Sequence, residues 1–192
     1  SAYAYRKIGT DGKKWEKSKM SLETVLADED WDYVSLQQAS PFSGMYETYE
    51  ASLPELIEYV KARLPKKTKL MLHQTWAYEA DSRRLCEELG FSQPEEMLSL
   101  VRASYATAAA EIGAAGVIPS GETMINLSHL GIAKPHRDTF HASLGLGRYL
   151  LGLTWYRKLT GRPVTHNPFC DFDEPVSEEE ISTEKRPKVV AV

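Results

Sequence analysis

Asp138-Thr139-Phe140-His141 sets a carboxylate three residues ahead of an imidazole. This spacing lets one loop carry a general base together with the acid that orients it. The Asp accepts a hydrogen bond from one ring nitrogen, and the other nitrogen is then free to take a proton from a nucleophile. A pattern this short recurs by chance, so its meaning depends on the elements that position it. Ser40, Ser43, Ser120 and Ser143 are the fallback nucleophiles within the chain. None lies in a G-x-S-x-G elbow, and each reads first as a cap or turn residue, Ser143 as the cap of the helix after the D-x-x-H loop. The five histidines are scattered. His136 and His141 lack helical ligand spacing and have no Cys beside them, so no metal or other cofactor is expected.

The elements that must place this pair can be read from periodicity. Residues 1–20 form an N-terminal arm or hairpin, with Thr10-Asp11-Gly12-Lys13 as its turn. Ser21 opens a short helix, and residues 32–37 read as a strand. Ser52-Leu53-Pro54-Glu55 has the form of a capping box, and its helix carries Leu53, Leu56, Ile57, Val60 and Leu64 on one face. Leu70-Met71-Leu72 is the next strand. Ser92-Gln93-Pro94-Glu95 is a second capping box, ahead of a helix that buries Met97, Val101, Tyr105, Ala108 and Ile112. Val117-Ile118 is a third, short strand. A helix from roughly Ser143 to Leu159 comes after the D-x-x-H loop. Residues 163–192 form a tail in which Ser177-Glu178-Glu179-Glu180 caps a last short helix.

Alternation of strand and helix implies a parallel sheet covered by helices on both faces. In such sheets ligands bind beyond the carboxyl ends of the strands. The residues expected to converge there are Gln37, Gln38 and Ser40, then His73, Gln74, Thr75, Trp76 and Tyr78, then Ser120, Gly121 and Glu122. The loop with Asp138 and His141 reaches the same rim. Gln37 and Gln38 are neighbours on a strand and point to opposite faces, so one of them, Gln38, is expected to face the site. Trp76 and Tyr78 read either as core anchors or as a stacking wall for a sugar ring.

Composition bounds the function. A chain of 192 residues is large enough for one domain with a real core. Its net charge of −4 argues against a general nucleic-acid binder. No run is long and apolar enough to span a membrane. Cys86 and Cys170 fit no metal or redox spacing. The chain starts at Ser1 with no Met and no visible leader, so localisation is open, and it reads as part of a longer protein.

Three blocks, in order, resemble a bacterial branch of the SGNH (GDSL-like) hydrolases, the DUF4886 group. They are residues 31–40 (WDYVSLQQAS, with Ser43-Gly44 just after), residues 73–78 (HQTWAY) and residues 137–143 (RDTFHAS). The resemblance covers about Trp31 to Leu159 and implies a three-layer α/β/α sandwich with a five-stranded parallel sheet, here in residues 21–162 and lacking its first strands. It further implies a Ser-His-Asp hydrolase acting on small acyl esters of sugars or lipids, with His141 as base and Asp138 orienting it. Gln38 stands where the family usually has an oxyanion-hole Asn. Gln37, His73, Gln74, Trp76, Tyr78 and Glu122 are the candidate substrate contacts, and the expected partner is a small-molecule or saccharide ester. The family's nucleophile lies in a Gly-Asn-Ser or Gly-Asp-Ser block after the first strand. The chain has no such block, so the serine is expected upstream of Ser1. A carbohydrate-binding remnant that has lost its nucleophile is the alternative, as is an interaction domain that pairs through an open sheet edge.

Overall fold

The computed structural model describes residues 3–131, 134–165, 167, 172–173 and 188–189. The arm is a hairpin: β1 (Tyr3–Ile8) pairs antiparallel with β2 (Lys14–Met20) across the Thr10–Gly12 turn. Ser21 then caps α1 (Leu22–Leu26), its hydroxyl accepting from the Thr24 N–H at 3.1 Å.

The sheet that organises the molecule has three parallel strands in the order β3-β4-β5: β3 (Tyr33–Leu36), β4 (Lys69–His73) and β5 (Gly116–Ile118). Val34 stands opposite Leu70, and Leu72 opposite both Leu36 and Val117. β4 is central and covered on both faces, which is why it reads as a continuous apolar run. Leu70 and Leu72 pack with Leu53, Ile57 and Val60 of α3 (Leu53–Lys61) and with the buried face of α4 (Pro94–Ile112). Met71 points the other way, toward Gly116 and the Lys158 stem of α6 (Leu146–Thr160). This is a helix–sheet–helix sandwich. The resemblance implied five strands; three are present among the described residues, and the short tail strands β6 (Phe172–Asp173) and β7 (Lys188–Val189) pair with each other. The expected Ser177–Glu180 helix lies outside the described residues.

α4 forms because Pro94 opens its first turn, no Gly or Pro interrupts it, and Gly113 ends it in the left-handed region at φ +61°. Its apolar residues Met97, Leu98, Val101, Tyr105, Ala108 and Ile112 fall on one side at helical spacing. Val101 and Leu85 are 0% exposed; burial at such sites contributes about 1.5–3 kcal/mol per side chain. Two capping expectations are corrected. Ser52 does not cap α3, because α2 (Glu47–Glu50) runs into it and holds Ser52 in a helical conformation; its hydroxyl donates to the Tyr49 carbonyl instead. At α4 the box is shifted by one residue: the Ser92 N–H donates to Glu96 at 2.8 Å.

A helix not expected from the sequence, α5 (Ser120–His129), begins directly after β5. Gly121 makes this possible, since a Cβ there would lie 2.6 Å from the Thr75 carbonyl oxygen. On the opposite side of the sheet axis, β3 is an edge strand. Among the described residues its outer edge is unpaired and borders an apolar hollow of about 410 Å³ lined by Tyr3, Leu22, Leu26, Trp31 and Leu56.

Candidate active site

Beyond the carboxyl end of β4 the chain continues through residues 74–82 as an irregular rim that turns at Glu79–Ser82. The D-x-x-H loop is laid against this rim. It is a tight reversal: His136 bridges Ala142, the Ser143 N–H donates to Pro135 O at 3.0 Å, and the Arg137 N–H donates to His141 O at 2.9 Å. Ser143 tethers the entry to α6, its hydroxyl accepting from the Gly147 N–H at 2.8 Å. Helix α6 starts three residues later than the sequence suggests, at Leu146.

At the tip, Asp138 Oδ2 lies 2.7 Å from His141 Nδ1, and Oδ1 accepts from the His141 main-chain N–H at 2.8 Å. The carboxylate accepts a hydrogen bond from Nδ1–H, and in that tautomer Nε2 carries the free lone pair. The His141 side chain is 53% exposed, so that nitrogen can be reached. Partial burial pushes the Asp138 carboxyl up. The His141 ring and the N–H groups of His141 and Phe140 outweigh it and hold the acid below the usual carboxylate range. Asp138 is therefore ionised at neutral pH and acceptor-only, as an orienting acid must be.

The tip is held from below. Thr139 has φ +71°, an uncommon conformation for a β-branched residue. Its carbonyl accepts from the Glu79 N–H at 2.8 Å, and its hydroxyl donates to Ser82 Oγ at 3.0 Å. Trp76 Nε1–H donates to Phe140 O at 2.8 Å. The Phe140 ring packs against Tyr78 at 5.6 Å and His141 at 4.1 Å, with the Arg84 guanidinium 4.1 Å from its centre. Tyr78 hydroxyl in turn meets Ser40 Oγ at 2.8 Å.

The other residues singled out in the sequence have definite places. Tyr78 is 1% exposed and presents no ring face to a sugar, so it is an anchor and not part of a stacking wall. Trp76 is half-buried and spends its indole N–H on the loop. Gln74 is buried, and its Oε1 accepts from the Gly121 N–H at 3.1 Å. Glu122 is bound by Arg102 through two contacts of 2.5 and 2.7 Å on the outer side of α4 and α5, which keeps its carboxyl below the usual range. Gln37 is exposed. Gln38 donates its amide to Thr48 at 3.3 Å and accepts from the Ala39 N–H at 2.8 Å. Ser43 is buried and accepts from Thr75 at 2.7 Å.

His73 and Ser120 form a second close Ser–His pair, with Oγ 2.8 Å from Nε2. The Trp155 indole N–H also donates to that nitrogen, at 3.2 Å, so Nε2 is the acceptor and the Ser120 hydroxyl a donor. Burial pushes the His73 ring down to about 4, so it is neutral at neutral pH. Ser120 is 0% exposed and closed to a substrate. Among the described residues no three His, Cys, Asp or Glu side chains converge as metal ligands.

Glu79, Ser82, Arg84, His136 and Trp155 were not legible as site residues. Each holds another residue in place, and such roles leave no periodicity or motif. The one signal was proximity, since Glu79 directly follows the HQTWAY block.

No curated protein matches the chain significantly. A DUF4886 family protein of known structure from Bacteroides uniformis is 42% identical, with a TM-score of 0.81 over 86% of this chain and 64% of that one. The chain thus spans somewhat under two thirds of that relative's length. A protein from Slackia heliotrinireducens described as a candidate SGNH hydrolase is 24% identical, with a TM-score of 0.55 over 71% of this chain and 70% of that one. A candidate GDSL-like lipase from Parabacteroides merdae is 23% identical, with a TM-score of 0.51 over 69% of this chain and 61% of that one. At that identity the likeness is one of fold, and the fold is the α/β sandwich of the SGNH hydrolases. The family profile described as "Domain of unknown function (DUF4886)" matches residues 1–186, and the chain belongs to that family.

Proposed function

We propose that the protein is a serine-type hydrolase of the SGNH kind, acting on esters, and that His141 is its general base with Asp138 as the orienting acid. The observation that carries this is the Asp138–His141 contact of 2.7 Å at Nδ1, made at the carboxyl-end rim of a parallel sheet with the other ring nitrogen accessible. Among the described residues no hydroxyl bonds to His141, and the in-chain Ser–His pair is buried. On the family resemblance, the proposal takes its nucleophile from a serine outside residues 1–192, on a strand that adds to the open edge of β3.

In the reaction, the serine oxygen attacks the ester carbonyl while His141 Nε2 takes its proton. Collapse of the tetrahedral intermediate returns that proton to the departing alcohol and leaves an acyl-serine. Water, deprotonated by the same nitrogen, then releases the acid. The proposed oxyanion donor, by the family resemblance, is the Gln38 amide, which exchanges its contact with Thr48 for the developing oxyanion. A small acyl group on a carbohydrate is the proposed substrate class, on the family resemblance. Turnover of an aryl acetate and of an acetylated saccharide by the protein at its natural length tests this. His141→Ala should abolish both while the fold persists; retained turnover would overturn the assignment, and saccharide binding without hydrolysis would favour a binding protein.

A further inference from the structure

Glu79 touches the segment bearing His141 at its start and at its tip. Its Oε1 accepts from the His136 main-chain N–H and lies 3.1 Å from His136 Nδ1, which fixes the start of the loop. Its own N–H donates to Thr139 O at 2.8 Å, which fixes the tip. Its carbonyl accepts from the Ser82 N–H at 2.9 Å, and Ser82 receives the Thr139 hydroxyl. Lys134 reaches the second carboxylate oxygen at 3.6 Å and is itself held by Asp81 at 2.7 Å.

The side chains of Glu79 and His136 are 8% and 5% exposed. Burying a carboxylate costs several kcal/mol, and well-packed apolar residues usually serve stability as well or better. Among the described residues Glu79 makes the one side-chain hydrogen bond to the His136 ring, whose other nitrogen, Nε2, is buried without a geometric partner. Thr139 carries a backbone conformation that is unfavourable for a β-branched residue and persists only where neighbours enforce it. One buried residue thus braces a strained six-residue turn (136–141) at two points, its carboxyl group at the start and its main-chain N–H at the tip, a placement that serves geometry.

We infer that Glu79 is a positioning residue for His141: through His136 at the loop's start and Thr139 at its tip, it fixes the backbone on which Asp138 and His141 meet. The consequence for turnover rests on the hydrolase reading above; the effect on the loop itself does not.

The experiment compares wild type with Glu79→Ala and Glu79→Gln. The readouts are hydrogen exchange of the His141 amide, which donates to Asp138, and the NMR titration of the Asp138 carboxyl. Leu72 and Met71 amides in β4 report on global stability. In Glu79→Ala the His141 amide should exchange roughly tenfold faster with β4 protection unchanged, and the Asp138 carboxyl should rise toward its ordinary value. Glu79→Gln keeps one acceptor for His136 and should shift both readouts part of the way. With aryl acetate, kcat should fall while KM holds. Unchanged His141 exchange and Asp138 titration in folded Glu79→Ala would overturn the inference. If that variant does not fold, the same unchanged readouts in Glu79→Gln would overturn it. Neither readout needs turnover, so absence of hydrolysis would sink the functional proposal and leave this one to be decided separately.

Discussion

Asp138 grips His141 at two points, Oδ2 on the ring nitrogen at 2.7 Å and Oδ1 on the main-chain N–H at 2.8 Å. One contact selects the tautomer and the other fixes the peptide that carries the ring. A residue pair three apart can do both only in a tight reversal, which the contacts of 135–143 provide. Because the ring contact needs a second acceptor oxygen and both contacts strengthen with an ionised carboxylate, the arrangement is sensitive to charge as well as to shape.

Replacement of Asp138 by Asn should leave the loop in place and lower turnover roughly 10³–10⁴-fold, because the amide no longer enforces the Nδ1–H tautomer. A pH effect on stability accompanies this. The native carboxyl titrates below its ordinary 3.8, so the folded state binds its proton later than the unfolded chain does. The stabilisation is complete above the ordinary value and is lost as pH falls through the lower native one. Urea midpoints measured from pH 5 downward should fall more steeply in wild type than in Asp138→Asn.

His73 has the opposite charge logic. Burial holds its ring down to about 4, against 6.5 for the free side chain. Between those values the unfolded chain is protonated and the folded one is not, so stability should fall as pH drops from about 6.5 to about 4 and then level. His73→Asn should flatten this segment of the stability profile. A profile unchanged by the substitution would show that the Ser120–His73–Trp155 cluster is not buried as described.

The strands were legible as short, apolar, β-prone runs, and α3, α4 and α6 by apolar residues at helical spacing with Pro or Gly at their ends. Helix α5 was not: its opening Ser-Gly-Glu-Thr has poor helix propensity, and it forms because Gly121 packs against the Thr75 carbonyl. The Asp138–His141 pair was legible as a local motif. The rim beneath it was not, since Trp76, Glu79 and Ser82 act through hydrogen bonds to a loop about 60 residues away, and no local pattern encodes a contact of that separation.

Trp76→Phe removes the indole N–H that meets Phe140 O, together with one ring of a half-buried side chain. It should cost about 1 kcal/mol of global stability in denaturant unfolding and reduce kcat more than KM, because the loop tip loses one of its tethers. An effect on KM alone would instead place Trp76 in contact with substrate.

Tyr78→Phe keeps the packing on Phe140 and deletes the contact with Ser40. A loss of about 1 kcal/mol is expected, with saccharide affinity unchanged, since the ring is 1% exposed. Weakened saccharide binding would mean that this ring opens to the site.

Fluorophosphonate labelling of the protein at its natural length, with the modified peptide mapped and His141→Ala run beside it, reaches the central claim most directly. A label on a serine outside residues 1–192, lost in His141→Ala, is the expected result. A label that persists without His141, or no label on an intact folded protein, would contradict the role given to His141 and Asp138.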